Sequence, residues 1–553
     1  MNNKLFYLIF IFSSFFLNPK ANARPNIILI MVDDMGWSNI GSYGGMVETP
    51  TLDRLAHNGV RFNQFYNAAR CCPTRATLMT GLHPHQVGVG HMVLPIRPIT
   101  DGDAKNPRSR FALTTGDRSE IPYAYQGWLD VSIPTLPEML RSAGYGTYMT
   151  GKWHLANEKP ETWPLQRGYN RFYGHLAGTS DFFRPANLHR GNKPITAKGE
   201  RYYITDAISK EAINFLSDHD KEQDDQPFFL YLAYNAPHFP VQCMPEDYKK
   251  YRGRFMEGWD VLREKRLAKQ KLMGLVPSNT KLTPRPKNIP AWSSLSSKKQ
   301  NEMDAIMATY AGMIDRVDQN IGKLVSHLEE TNELENTIIF FLSDNGGEAE
   351  TGALGQFQFK NLGIYGKGGN KYGKGWASLS NTPFREYKHF AHQGGVQTPL
   401  IVHWPEGIPS GKTNRILTHY GYLPDLVETC LDVATAKRPL TKDGKNVPLS
   451  DGISLVRILQ GSNEPLHTEP IFIEHEGNRI ARDGKWKLVS YANKPWELYD
   501  LDSDLSEINN LATVQPNVVD RLNNSYARWA KSVGVVDWKI GRTYSVYRSN
   551  KKK

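Results

Sequence analysis

Apolar runs that stop abruptly in polar residues recur through the first four-fifths of the chain. NIILIMV (Asn26 to Val32) ends in Asp33-Asp34, and FFLYLAY (Phe228 to Tyr234) leads into NAPHFP. TIIFFLS (Thr337 to Ser343) leads into DNGG, and LIVHW (Leu400 to Trp404) into a proline. Continuous β-favouring runs of this length predict central strands buried on both faces. Between them the period changes. Met303, Ile306, Met307, Tyr310, Ile314, Val317, Ile321, Leu324 and Leu328 mark one face of a long amphipathic helix. Strands alternating with helices predict an α/β sandwich with a largely parallel central sheet. After about Gly461 the pattern shortens to PIFIEHEG, RIARDGKWKLVSY and WELYDL, followed by a helical stretch near NVVDRLNNSYARWAKSV. That predicts a smaller α+β unit with an antiparallel sheet over 461–553, after a main domain over 24–460.

The first residues read differently. Met1-Asn2-Asn3-Lys4 precedes an apolar run from Leu5 to Leu17 and a small-residue site at Ala21-Asn22-Ala23. This is the pattern of a signal peptide cleaved after Ala23, which would place the protein in the periplasm or outside the cell. An uncleaved anchor would need about 20 apolar residues. No later stretch is long enough to cross a membrane, so stable membrane insertion is not expected.

Length and composition narrow the class. With 553 residues, 40% hydrophobic and 22% charged, the chain is an ordinary globular protein, longer than one domain usually runs. Disorder and collagen-like structure are excluded. Cys71, Cys72, Cys243 and Cys430 are too few for a disulfide framework, although one pair could bond. A net charge of +11 suits a polyanionic partner. Export makes that partner an acidic polymer outside the cell rather than nucleic acid.

In parallel sheets, functional groups gather beyond the carboxyl ends of the strands. That rule brings Asp33, Asp34, His238, Asp344 and Asn345 to one edge. Asp-Asp and Asp-Asn pairs are common in turns, but two such pairs, each closing a buried strand, offer a set of hard oxygen ligands suited to Ca2+ or Mg2+. Arg75, Lys152, His154, His238 and Lys388 form a second, cationic group near strand ends. A divalent cation with several convergent cations describes a site for a phosphate or sulfate ester. GGNKYGKG (Gly368 to Gly375) nearly spells a phosphate-binding loop. It lacks the hydroxyl residue after Lys374 and follows no clear strand and opens no clear helix, so that reading is rejected. The stretch from Lys360 to Trp376 reads instead as a flexible loop, solvated or near the substrate.

These residues carry a resemblance. CCPTRATLMTG is similar to the C-x-P-x-R-x-x-x-x-T-G signature of the type I sulfatases, with Cys71 first, Pro73 third, Arg75 fifth and Thr80-Gly81 last. RPNIILIMVDDMGW, TPTLDRLAHNGVRFNQFY, GKWH, APHFP, SDNGG and GGVQTPLIVHWP resemble the family's other blocks, in its usual order. GWDVLREKRLAKQKLMGLVP looks most like the bacterial arylsulfatase branch; Gln393 stands where many relatives have Glu. The resemblance implies an alkaline-phosphatase-like fold and hydrolysis of a sulfate ester. It implies that Cys71 is converted by a maturation enzyme to Cα-formylglycine, whose hydrate attacks sulfur with one hydroxyl and expels sulfate by re-forming the carbonyl. Cys72, without Pro at +2 and Arg at +4, would stay a thiol. It further implies that Asp33, Asp34, Asp344, Asn345 and modified Cys71 hold Ca2+. Arg75 would orient the diol, Lys152 would bind sulfate oxygens, and His154 would accept the proton on elimination. His238 with Lys388 would protonate the leaving oxygen. A sulfated carbohydrate is the expected substrate, with aryl sulfates as surrogates. The alternatives are a phosphonate or phosphate ester hydrolase on the same fold, and an inactive protein binding sulfated glycans.

Overall fold

The first strand, β1 (Asn26–Val32), is buried along its whole length, and its side chains divide between two cores. Ile28, Ile30 and Val32 join one hydrophobic cluster, Ile27, Leu29 and Met31 the other. The alternation of a strand produces that division, and burial on both faces explains why the run is apolar throughout. The structure is a computed structural model and describes residues 24–93, 122–155, 159–222, 226–356 and 370–538. The expected signal peptide, 1–23, the basic tail and residues 360–369 of the stretch from Lys360 to Trp376 lie outside the described residues.

Ten further strands complete the sheet: β2 (Val60–Tyr66), β3 (Gly146–Lys152), β4 (Arg171–His175), β5 (Leu188–Arg190) and β6 (Lys193–Pro194). The rest are β7 (Phe228–Ala233), β8 (Thr337–Ser343), β9 (Gln397–His403), β10 (Arg415–Leu417) and β11 (Gly421–Tyr422). The order is β10-β2-β9-β8-β1-β7-β3-β4-β5-β6, with β11 also on β2. From β8 to β4 the five central strands are parallel. β9 runs antiparallel to both β8 and β2. Its amino end therefore lies at the edge where the parallel strands have their carboxyl ends. A residue just before β9 reaches the same edge as one just after β1, β3 or β8.

The expected amphipathic helix spans Ser297–Glu330, several residues beyond the predicted stripe at its amino end. The Ser296 side chain accepts a hydrogen bond from the Lys299 N–H at 3.3 Å and caps it. The predicted face is buried in the first core.

Near the carboxyl end, β12 (Thr441–Lys442) and β13 (Lys445–Asn446) pair as a small hairpin. β14 (Ile471–His475), β15 (Asn478–Asp483), β16 (Trp486–Ser490) and β17 (Glu497–Asp500) then form a four-stranded antiparallel sheet in sequential order. One face supplies Ile473, Ile480 and Val489 to the first core. The other packs Ala481, Leu488 and Leu498 against Leu522, Tyr526 and Trp529 of the helix Pro516–Val533. The sequence places an antiparallel sheet here, and the structure has one.

Two expectations change. Gly373–Ser380 is a helix, so the GGNKYGKG stretch does open one. It is still no phosphate loop: the N–H groups of Lys374 and Gly375 donate to the carbonyls of Gly352 and Ala353, at 2.9 and 3.0 Å. Gly375 is required for packing, since a Cβ there would lie 2.8 Å from the Trp259 ring. As for a disulfide, all four cysteines are buried and free. Among the described residues no helix is long and apolar enough to cross a membrane.

Candidate active site

Four strand ends and one reversed strand deliver the polar groups. β1 ends at Val32 and presents Asp33 and Asp34; β8 ends at Ser343 and presents Asp344 and Asn345. Lys152 is the last residue of β3, with His154 two residues on. His238 follows β7, and Lys388 precedes β9. All of these are buried, as are Cys71 and Arg75 in the first turns of the helix Cys71–Thr80. Gly151 makes the approach of β3 possible: at φ 108°, its Cβ would stand 1.8 Å from the Ala233 carbonyl oxygen.

Lys152 Nζ donates to Asp33 Oδ2. Arg75 donates to Asp344 Oδ2 at 2.9 Å and stands 3.6 Å from Asp33, while its other Nη reaches the Lys152 carbonyl at 3.1 Å and the Tyr231 hydroxyl at 3.2 Å. Lys388 Nζ lies 2.7 Å from Asp34 Oδ1 and 3.4 Å from His238 Nε2. Asn345 Nδ2 donates to Asp34 Oδ1 at 2.7 Å, and the Asp34 N–H to Asp344 Oδ1 at 3.1 Å. The Thr74 hydroxyl donates to the Asp344 carbonyl at 2.8 Å, tying the Cys71 helix to the end of β8.

Three carboxyl groups thus meet three cationic side chains. The balance is uneven. Burial raises Asp33, and burial with the Asp33 charge pushes Asp344 up to about 8. Asp34 is buried as deeply, yet His238 and Lys388 together hold it below the ordinary range. Burial drives both His154 and His238 down to about 4, so both imidazoles are neutral at pH 7. Lys388 is buried too, but the Asp34, Cys71 and Glu350 charges raise it, and it keeps its proton. A hydrogen bond from the Cys72 thiol, helped by the neighbouring His154 ring and the Lys152 and Lys388 charges, holds the Cys71 thiol well below its usual range against the cost of burial.

The donor set fits a divalent cation. Asp33 Oδ1 and Asn345 Oδ1 are buried oxygens without a hydrogen-bond partner, and unpaired buried acceptors are costly. Asp33 and Asp34 offer ligand atoms within 4.8 Å of each other, in a group completed by His238. Asp344 and Asn345 join this group through their hydrogen bonds to Asp34. A dication placed here would relieve the raised carboxylates and leave the pocket positive.

All ten site residues named from the sequence therefore gather at one edge, and ligand atoms of Cys71, Cys72 and His154 lie within 4.8 Å of one another. Sequence reasoning passed over Thr74 and Tyr231. Thr74 sits in the motif's variable positions, and Tyr231 in the middle of β7 reads as core; only the fold shows what their hydroxyls hold.

Comparison with known proteins bears on this geometry. Residues 25–436 match the Sulfatase family model, and residues 385–528 the model of the N-sulphoglucosamine sulphohydrolase C-terminal region. An uncharacterized sulfatase of Schizosaccharomyces pombe is 32% identical over 94% of this chain and 96% of its own. An arylsulfatase of Klebsiella aerogenes is 31% identical over 73% of this chain and 86% of its own. The crystal structure of Ps i-CgsB superposes with a TM-score of 0.66 at 25% identity, covering 95% of this chain and all of that one.

Proposed function

Because the chain belongs to the sulfatase family, it is a sulfuric ester hydrolase, and we propose that it is an exported enzyme acting on sulfated carbohydrate through a formylglycine made from Cys71. The observation that supports the reading is the arrival of Cys71, Arg75, Lys152, His154, His238 and Lys388 around three carboxylates at one sheet edge. Residues 24–460 carry the chemistry in this reading, and 461–553 form the smaller unit.

Asp33, Asp34, Asp344 and Asn345, with modified Cys71, would hold Ca2+, which neutralises the developing oxyanion charge when bound. The formylglycine hydrate supplies the nucleophilic hydroxyl. The other roles belong to side chains already in place. Arg75 fixes the start of the Cys71 helix against Asp344 and orients the nucleophile. Lys152 binds sulfate oxygens. His154, neutral and 7% exposed, is free to take a proton at neutral pH. On the leaving-group side His238 is neutral and Lys388 is protonated, so the proton for the departing oxygen originates on Lys388 and reaches it directly or through His238 Nε2.

The net charge of +11 supports an acidic polymeric substrate. Steady-state assays with an aryl sulfate, an aryl phosphate and a phosphonate monoester test the reaction class; sulfate turnover should dominate, and dominant phosphonate turnover would reverse the assignment. Peptide mass spectrometry of active enzyme should show an aldehyde at Cys71. Export predicts a mature protein beginning at Arg24, which amino-terminal sequencing of secreted or periplasmic material reads directly.

A further inference from the structure

A cleft of about 410 Å3 opens beside Lys388, with Arg70, Glu350, Lys374, His389, Phe390 and Glu476 in its wall. Lys388 belongs to both the cleft and the polar site, so the cleft opens directly from the site. Of nine lining residues only Ala349 and Phe390 carry apolar side chains. An aryl group would find little apolar wall to bury against.

What the wall offers is paired donors and acceptors. Arg70, at the start of the Cys71 helix, contacts Glu350 at 2.6 Å. His389 Nδ1 lies 3.5 Å from Glu476 Oε2, and its Nε2 lies 3.4 Å from the Asn478 side-chain nitrogen. An amide nitrogen can only donate, so Nε2 accepts and the ring proton sits on Nδ1, facing Glu476. Burial and the Arg70 charge push His389 down to about 4, which keeps that neutral tautomer at pH 7. The backbone N–H of His389 donates to the Ala69 carbonyl at 2.8 Å, two residues before Cys71. Glu476 sits in the turn between β14 and β15, so the small sheet carries it to the mouth of the site. Glu476 Oε1 also lies 3.9 Å from His475 Nε2; a carboxylate has about four acceptor positions, so a partnered one can still accept from a neighbouring hydroxyl.

We propose that Glu476, positioned by His389, is a hydroxyl-binding residue for the sugar ring of a sulfated carbohydrate, with the Arg70–Glu350 pair as a second contact. This rests on the carbohydrate reading above and assigns its recognition to the C-terminal sheet.

The test compares wild type, Glu476→Gln and His389→Ala on sulfated hexoses and hexosamines and on 4-nitrophenyl sulfate. The ratio of kcat/KM for sugar to that for aryl sulfate should fall about 10- to 100-fold in Glu476→Gln, through KM, with an unchanged thermal midpoint. His389→Ala should lower the same ratio less, because it removes the support and not the acceptor. A wild type that cleaves sugars, with variants that keep the ratio or lose both activities together, overturns the subsite. A wild type that cleaves only the aryl sulfate overturns the carbohydrate reading itself.

Discussion

Asp34 and His154 both have left-handed backbones, with φ of 66° and 54°, a conformation costing a non-glycine residue about 1–2 kcal/mol. Two such residues in one site show local stability given up for placement. The cysteine pair is the other residue-scale contrast. Cys71→Ala should lose nearly all activity with its thermal midpoint intact, whereas Cys72→Ser should keep most of it. Cys71→Ser should also be severely impaired, since a single hydroxyl cannot collapse to a carbonyl; full turnover by an unmodified Cys71 thiol would sink the diol mechanism. His154→Ala should cost about 10²- to 10⁴-fold in kcat. Away from the site, burial, then the Arg54 charge, holds His403 near 4, and its Nδ1 has no partner. Its folded pKa lies below the unfolded one of about 6.5. Stability from keeping it neutral is present above 6.5 and drains away as pH falls toward 4. His403→Gln should therefore gain on wild type by up to about 2 kcal/mol between pH 7 and pH 5, read from urea midpoints at both.

At the scale of elements, the loop that carries Lys388 is fastened from behind. Lys487 in β16 bonds Gln393 at 2.9 Å and Glu507 at 2.5 Å, and Glu507 accepts from the Gln393 N–H at 2.9 Å. Burial outweighs pairing for Lys487, pushing it down to about 8, while Lys487, His392 and Arg385 together outweigh burial for Glu507 and lower it. One carboxylate thus answers several cations, and the glutamine at 393 adds an acceptor for Lys487 without adding a second negative charge. Lys487→Met strands a buried carboxylate and should cost near the lower end of about 3–5 kcal/mol. Adding Glu507→Leu to it should recover much of that in denaturant melts. If the single variant were as stable as wild type, the fastening would be immaterial.

For the molecule as a whole, the divalent ion links chemistry to stability. Exhaustive chelation should abolish turnover, and Ca2+ should restore it. The thermal midpoint should climb with Ca2+, by about 2.7 kcal/mol of stability at a hundred times Kd. Asp344→Ala should abolish activity and flatten that Ca2+ dependence while lowering the basal midpoint only modestly, because Arg75 keeps Asp33 beside it. A chelated enzyme with full activity would remove the ion from the mechanism.

The sequence by itself determined four strands of the central sheet, β1, β7, β8 and β9, the long helix, the antiparallel sheet near the end and the group of residues meeting at one edge. These were legible because burial on both faces writes an uninterrupted apolar run, and a strand's last residues emerge where the sheet stops shielding them. Cys71 could be singled out because the pattern that marks it is local, with Pro73 and Arg75 two and four positions on. Only the tertiary structure decided that β9 is reversed, which is why Lys388 arrives from the amino side of a strand to meet Asp34. It also decided that Gly373 opens a helix, which a run of glycines hides, and that the turn at Glu476 comes to lie beside Lys388. Strand direction and the meeting of distant loops depend on contacts between residues far apart in the chain, and no local period or spacing encodes them.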